Sequence, residues 1–149
     1  MKVRGFEYCN EEYIGTISLP LKGTSQSAGY DFFCPHEVIV MPGQTEKIVT
    51  GIKAYMQPGE VLILFPRSSN GIKHNIVLAN TVGVVDADYY NNPHNGGNII
   101  IVIRNNGNHP LKIGVGERFA QGVFFPFLSA DNTETLYKER IGGVGSTAK

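Results

Sequence analysis

Short apolar runs separated by turn-forming residues recur along the whole chain. Two of them end at the pairs Pro42-Gly43 and Pro58-Gly59, and glycine, asparagine or proline follows most of the others. No window of about 12 residues holds a 3.6-residue apolar period between these breakers. We therefore predict one all-β domain over residues 1–149, a β-barrel or sandwich of jelly-roll type. The predicted strands are Val3–Tyr8, Ala28–Phe33, Glu37–Met41, Glu46–Met56 (with Gly51 as a bulge), Val61–Phe65, Asn75–Ala79, Val82–Val85, Ile99–Ile103, Pro110–Ile113, Arg118–Phe127 and Thr133–Tyr137, and Pro66–Gly71 is a predicted polar loop.

One stretch, Asn80–Tyr90, places a carboxylate where an apolar run ends. In its sequence, NTVGVVDADYY, the apolar residues Val82, Val84 and Val85 lead into Asp86. The polar segment Asn91–Asn98 follows, and Ile99–Ile103 is apolar again. Strand, polar tip and strand predict a β-hairpin. An ionised carboxylate in apolar surroundings costs free energy unless it has partners. Asp86 is therefore either a turn-capping residue or a functional one.

The composition favours a globular protein, because 42% of the residues are hydrophobic and 17% are charged. The thirteen basic and thirteen acidic residues cancel, and no run of lysine or arginine occurs. We therefore expect neither a nucleic-acid polymer nor an anionic membrane as the principal ligand. No apolar signal segment is found at the N-terminus, and two cysteines, Cys9 and Cys34, are too few for a disulfide framework. These features favour a cytoplasmic protein with reduced thiols.

Several general motifs are incomplete. Gly143–Thr147 lacks the Gly-Lys pair and the following helix of a phosphate-binding loop. The pair Asp86 and Asp88 lacks the later ligands of a calcium loop. Cys34 and His36 have no second ligand pair at metal spacing. None of these three segments is therefore predicted to be a phosphate-binding loop or a metal site.

Five short polar segments remain, each at a strand end or in a turn. In order and spacing they resemble the five motifs of the trimeric dUTP nucleotidohydrolases (dUTPases). One segment alone is a weak signal, whereas five in order over nearly the whole chain are specific. The segments are AGYD at Ala28–Asp31, PRSS at Pro66–Ser69, NTVGVVDADYY at Asn80–Tyr90, RFAQGVF at Arg118–Phe124 and GGVGST at Gly142–Thr147.

The resemblance implies hydrolysis of dUTP to dUMP and diphosphate, which limits uracil in DNA and supplies dUMP for thymidylate synthesis. Asp86 would be the catalytic base that deprotonates a water for attack on the α-phosphorus. Tyr89 would lie under the deoxyribose, although ordinary core packing also explains a tyrosine there. The uracil slot would consist of Asn80, the main chain around Val84 and Val85, and Ile100 on the facing strand. Gly83 would either permit a close approach of the backbone to the base or form a bulge.

The resemblance also implies how the triphosphate is held. Arg67, Ser68 and Ser69 would bind the α- and β-phosphates, and Gln121 would reach the same chain. Asp31 would be structural or lie behind the metal. The cofactor would be Mg²⁺, held mainly by the phosphates and water. A flexible glycine-rich arm, residues 139–149 after a β-barrel core of residues 1–138, would close over the nucleotide through Arg140, Gly143, Gly145, Ser146 and Thr147.

The resemblance further implies a homotrimer whose active sites combine segments from neighbouring chains. The arm departs from the family motif R-G-x-G-G-F-G-S-T-G, because Arg140 stands one residue closer to Gly142. Val144 also replaces the phenylalanine that stacks on uracil, and Ala148 replaces the last glycine. The loop after Tyr90 is about six residues longer than in the family and is expected to project from the hairpin tip.

Two alternative functions stay open at this stage. Ser69 stands where dUTPases more often have glycine, as in the related dCTP deaminases, but Val102 occupies the position of the deaminase glutamate. Deamination would therefore lack its catalyst. A binding protein that keeps the nucleotide pocket and signals through a partner at the loop after Tyr90 is the other alternative.

Overall fold

Strands form four antiparallel sheets in the computed structural model, which describes residues 1–132, 134–136 and 140–143. The prediction of an all-β protein is confirmed for this part of the chain. The strands are β1 (Gly5–Tyr8), β2 (Leu21–Lys22), β3 (Tyr30–Phe33), β4 (Val38–Val40), β5 (Thr45–Val49), β6 (Ile52–Tyr55), β7 (Glu60–Pro66), β8 (Ile76–Leu78), β9 (Gly83–Asp86), β10 (Ile100–Asn105), β11 (Leu111–Ile113) and β12 (Arg118–Pro126).

The largest sheet has five strands in the order β2-β3-β12-β7-β9. A second sheet has the order β5-β10-β8, and the pairs β1-β6 and β4-β11 complete the fold. Alternate residues of a strand face opposite sides of its sheet, so one side can be buried. In β10, for example, Ile101 and Ile103 are buried while Arg104 is exposed. The core between the sheets is filled by such side chains, Phe32, Phe119, Ile48 and Leu62 being among the largest that are fully buried.

The predicted hairpin is wrong, because β9 and β10 belong to different sheets. β9 pairs with β7, whereas β10 pairs with β5 and β8. The chain passes from the sheet of β9 to the sheet of β10 through a single 3₁₀ turn, Ala87–Tyr89, and the polar segment that follows it. That segment is also anchored rather than projecting, since Asn92 is buried. Alternation of apolar residues shows which face of a strand is buried but does not show its partner.

The predicted long strand Glu46–Met56 is also wrong, because the chain turns a corner within it. β5 pairs with β10 and β6 pairs with β1, so the two halves lie in different sheets. At the corner, the buried Thr50 donates from its Oγ1 to the Ile99 carbonyl at 2.8 Å. Gly51 has φ of +74°, which glycine adopts easily, and a Cβ there would lie 2.7 Å from the Tyr13 ring.

Two further predictions need correction. The segment predicted as a polar loop at Pro66–Gly71 contains most of a short helix, α1 (Ser68–His74), which ends at Asn75 with φ of +53°. A helix of seven residues is too short to show a 3.6-residue period in the sequence. Of the predicted last strand, residues 134–136 are described and lie in no strand. Its other residues, Thr133 and Tyr137, and the predicted boundary between core and arm at residue 138 lie outside the described part.

Among the helices of the described ranges, none could span a membrane.

Candidate active site

An open pocket of about 270 Å³ lies beside β9. It is bounded by the end of β7, the start of β10, and two residues of the arm. Leu64 and Ile99, which the sequence did not indicate, form part of its apolar wall. The pocket contains nine of the residues predicted for the site: Asn80, Gly83, Val84, Val85, Asp86, Tyr89, Ile100, Arg140 and Gly143.

The backbone of β9 is positioned by a close approach to β7. Gly83 pairs with Leu64, and a Cβ on Gly83 would lie 2.8 Å from Leu64 Cδ1 and 2.9 Å from Leu64 Cβ. The β7–β9 register runs without a shift from Gly83 to Asp86, so Gly83 is not a bulge. β9 is an edge strand of the sheet in the described part of the chain. An edge strand presents main-chain N–H and C=O groups that a ligand can bind.

A strained turn precedes β9. The Val82 N–H donates to the Asn80 carbonyl at 2.8 Å, and Thr81 between them has φ of +70°. A hydrogen bond between residues two apart around a positive φ is typical of a γ-turn, which is rare and strained. Such strain costs about 1–3 kcal/mol and clusters at functional sites. No sequence signal indicated Thr81, because a β-branched residue is unexpected in this conformation.

Tyr89 is buried and connects the pocket to the polar segment behind it. Its Oη donates to the Asn98 carbonyl at 2.6 Å and accepts from Asn95 Nδ2 at 2.8 Å. Burial raises the pKa of the Tyr89 phenol above its ordinary value. The ring is therefore neutral at physiological pH, and it serves both as core packing and as the wall of the pocket.

Asp86 lies at the end of β9 and its side chain is 48% exposed. The Arg140 guanidinium bridges two carboxylates: Nη2 donates to Asp86 Oδ2, and Nε donates to Asp88 Oδ1 at 2.7 Å. Sequence reasoning noticed Asp88 only as half of an incomplete calcium motif. The structure thus brings the predicted base and the predicted phosphate-binding arginine into direct contact.

The other predicted phosphate-binding residues form a second cluster. Asp31 lies between two arginines, 3.5 Å from Arg67 Nε and 3.3 Å from Arg118 Nη1. Gln121 Nε2 donates to the Pro66 carbonyl at 3.2 Å, next to Arg67. Ser68 and Ser69 form the first residues of α1, directly after this arginine. The segments AGYD, PRSS and RFAQ are thereby brought together, with Asp31 as the acid that balances the arginines.

Asp86 and Arg67 line separate pockets of one chain. Arg67, Asn70 and Arg118 line a pocket that contains none of the described residues around Asp86. The described part of a single chain does not bring all predicted residues together. The predicted arm residues Gly145, Ser146 and Thr147, and the altered positions Val144 and Ala148, lie outside the described residues.

Within residues 1–132, 134–136 and 140–143, no group of three or more His, Cys, Asp or Glu side chains is arranged to hold a metal ion.

Comparison with known proteins agrees with the five motifs. The dUTPase family model matches residues 16–148. The deoxyuridine 5'-triphosphate nucleotidohydrolase of Lactococcus lactis subsp. lactis is 49% identical over 148 residues, 99% of this chain and 99% of the relative. An enzyme of the same name from Pseudomonas putida is 41% identical over 132 residues, 85% of this chain and 83% of the relative. The chain therefore belongs to the dUTPase family, and the prediction of an enzyme of this family is confirmed.

Solved structures agree on the fold. The dUTPase of Streptococcus mutans has a TM-score of 0.75 and 44% sequence identity, and the match covers 86% of this chain and 99% of that one. A variant of the dUTPase from phage phi11 of S. aureus, which coordinates a structural Mg(II) ion, has a TM-score of 0.72 at 20% identity, over 92% of this chain and 99% of that one. The second likeness concerns the fold alone. The predicted jelly-roll dUTPase fold is confirmed.

Proposed function

We propose that this protein hydrolyses dUTP to dUMP and diphosphate, with Asp86 as the general base. Family membership supports dUTP hydrolysis. The observation that supports the mechanism is the position of Asp86, a half-exposed carboxylate in the same pocket as an edge strand and a buried tyrosine. A carboxylate in this position can take a proton from a water that attacks the α-phosphorus.

The nucleoside would bind along β9. The N–H and C=O groups of an edge strand, around Val84 and Val85, can pair with the uracil edge as a neighbouring strand would. Asn80 adds a side-chain amide, and Ile100 forms the opposite wall. Because Gly83 has no Cβ, the backbone of β9 lies directly on Leu64, and the two residues form part of the pocket wall. A 5-methyl group on the base would meet this wall, so thymine would bind poorly.

Tyr89 would support the sugar. Its ring is fixed by two hydrogen bonds of its hydroxyl and by burial, so it cannot move aside for a bulkier ribose. Discrimination against a 2′-hydroxyl would then be steric. A rigid aromatic wall is suited to this role because little conformational entropy is lost on binding.

The triphosphate would bind where two chains meet. Arg67 lines a different pocket of the chain from Asp86, and Ser68, Ser69 and Gln121 lie beside this arginine. A neighbouring chain can supply them to the Asp86 pocket in a symmetric assembly, and we propose a homotrimer with shared sites. The arm residues Gly145, Ser146 and Thr147 would add amides and hydroxyls, and the phosphates would take over Arg140 from its carboxylate partners.

Mg²⁺ prefers oxygen donors, and the carboxylates of Asp86 and Asp88 lie beside the pocket. Both carboxylates are already paired with Arg140, so we propose that phosphates and water hold the ion. Bound there, Mg²⁺ supplies charge neutralisation for the triphosphate. The protein's part is to orient the α-phosphorus and to hold the proton acceptor, Asp86.

The reaction would lower dUTP, limit uracil in DNA and supply dUMP for thymidylate synthesis. We place it in the cytoplasm, where glutathione keeps thiols such as Cys9 and Cys34 reduced.

The test is turnover by the purified protein with dUTP and Mg²⁺. Diphosphate release from dUTP is expected, with dTTP and dCTP nearly inert. Asp86→Asn should bind a non-hydrolysable dUTP analogue within a few-fold of the wild type but lose about 10³-fold in kcat, because the general base is removed. A wild-type kcat in Asp86→Asn would exclude the mechanism. Ammonia release from dCTP would instead indicate a deaminase.

A further inference from the structure

The polar segment Asn91–Asn98, named here the tip loop, is built around a buried asparagine. Asn92 Nδ2 donates to the Tyr89 carbonyl and to Asn95 Oδ1, each at 2.8 Å. Its Oδ1 accepts from the main-chain N–H groups of His94 and Asn95, each at 3.0 Å. A buried side chain whose polar atoms are all paired fixes the loop around it. The tip loop is therefore preorganised, with Asn95 joined to the Tyr89 hydroxyl of the pocket.

The base of the arm packs on this preorganised loop. The His94 N–H donates to the Ile141 carbonyl at 3.0 Å. A Cβ on Gly142 would lie 2.7 Å from His94 Cβ and 2.9 Å from its Cγ. A Cβ on Gly143 would lie 2.8 Å from Tyr89 Cε2. Only glycine fits at both positions, so the Gly-Gly pair is explained by the contact between the arm and the loop.

This contact sets the position of Arg140. Its Nη1 donates to the Gly142 carbonyl at 3.1 Å, which joins the arginine to the residue packed on His94. The guanidinium then faces Asp86 and Asp88, and its side chain is only 15% exposed. A guanidinium that bridges two carboxylates is held in one geometry by its planar fork of donors.

We propose that the tip loop is a docking site for residues 140–143, and that His94 is a positioning residue, whose main-chain N–H and close packing on Gly142 hold Arg140 beside Asp86. The catalytic meaning of this proposal rests on the proposed function, in which the phosphates of the bound nucleotide replace Asp86 and Asp88 as the partners of Arg140. The proposal also joins two departures from the family pattern, the long loop and the short spacing from Arg140 to Gly142. The longer loop contacts the arm, and in this arm Arg140 stands one residue closer to Gly142 than in the family motif.

Trypsin tests the docking without reference to activity, because it cleaves after Arg140. Gly142→Ala should accelerate cleavage of the Arg140–Ile141 bond about tenfold, since cleavage follows the population of the undocked arm. His94→Gly removes the atoms that the added methyl group would strike, so the double variant should return to within about twofold of the wild type. Gly23→Ala is the matched control, because a Cβ there would lie 3.6 Å from Ser27 Oγ, an ordinary contact. The fragment 1–140 is followed by mass spectrometry.

Equal cleavage rates in the wild type and Gly142→Ala would overturn the proposal. So would a double variant cleaved as fast as Gly142→Ala, because the clash with His94 would then not be the cause. Thermal melting of each variant checks that the barrel remains folded.

Steady-state kinetics tests the consequence for the reaction. In Gly142→Ala the KM for dUTP should rise several-fold, with a smaller effect on kcat, and His94→Gly should restore it. If Gly142→Ala is cleaved faster but has an unchanged KM, the positioning role of His94 is overturned, whereas the docking of the arm on the tip loop stands. If the wild type does not hydrolyse dUTP, the proposed function fails, and proteolysis still decides whether the arm docks.

Discussion

Gly83 lies directly opposite Leu64 in the β7–β9 ladder, and the pair leaves no space for even one methyl group. The backbone of β9, which bounds the nucleoside slot, can therefore lie this close to β7 only because Gly83 has no side chain. Gly83→Ala should push β9 outward, raise the KM for dUTP at least about tenfold, and lower the free energy of unfolding by about 1–3 kcal/mol through overpacking. Steady-state kinetics and urea denaturation measure the two effects, with Gly23→Ala as control. A normal KM would show that β9 does not bound the binding site.

Tyr90 connects the start of the tip loop to β1. Its Oη donates to Glu7 Oε2 at 2.7 Å, and this bond lowers the pKa of Glu7 below 4.5 and raises the pKa of Tyr90. Tyr90→Phe should lower the free energy of unfolding at pH 7 by about 1 kcal/mol, because a hydrogen bond to a partly exposed carboxylate is lost.

The effect of Tyr90→Phe should depend on pH. A carboxylate with a lowered pKa stabilises the fold above its unfolded pKa, and this contribution is lost as the pH falls through the folded value. The difference between wild type and Tyr90→Phe should therefore be complete at pH 7 and shrink below about pH 4.5. Urea denaturation at several pH values, with Glu7→Gln to complete the double-mutant cycle, measures it. A difference that is constant down to about pH 3 would contradict the assigned partner.

Cys9 should react slowly although it is not fully buried. Burial raises the pKa of its thiol from 9.0 to about 11. Because the thiolate is the nucleophile, alkylation of Cys9 by iodoacetamide at pH 8 should be about a hundredfold slower in the native protein than in guanidinium chloride. Peptide mapping distinguishes Cys9 from Cys34. Similar native and denatured rates would contradict the raised pKa.

Asn105 should be essential to the stability of the barrel. It is fully buried, donates to the Val40 and His109 carbonyls at 2.9 and 2.8 Å, and accepts from the Gly107 N–H at 2.8 Å. Asn105→Ala leaves these three backbone groups without their partner and should cost about 3 kcal/mol.

The neighbouring Asn106 is less buried and lies outside β10, so Asn106→Ala is a matched control and should change stability by less than about 0.5 kcal/mol. Urea denaturation compares the two variants. A similar small loss in both would show that other groups, or water, replace the Asn105 bonds.

Much of the strand layout could be predicted because short apolar runs such as Ile99–Ile103 are bounded by turn-forming residues. Strand partners could not be predicted, since an apolar run is compatible with several neighbouring strands, and β9 pairs with β7 instead of β10. The corner at Gly51 was missed for the same reason. Its two flanking strands have continuous apolar patterning, although they belong to different sheets.

The site shows a similar division. Asp86 and Tyr89 could be placed in one pocket because they lie close together in the sequence. The contact between Arg140 and Asp86 could not be foreseen, because it depends on the path of the arm over a loop that the family motifs do not describe. The separation of Arg67 from Asp86 likewise follows from the arrangement of strands in space and not from motif order.

Thr81 carries a consequence for engineering. Its positive φ stores strain immediately before the strand that lines the pocket. Replacement by glycine or asparagine relieves this strain, and such changes are among the first that a screen for heat resistance recovers. Because both residues adopt this φ without strain, a screen that scores only survival on heating will replace the threonine while keeping the backbone path into β9.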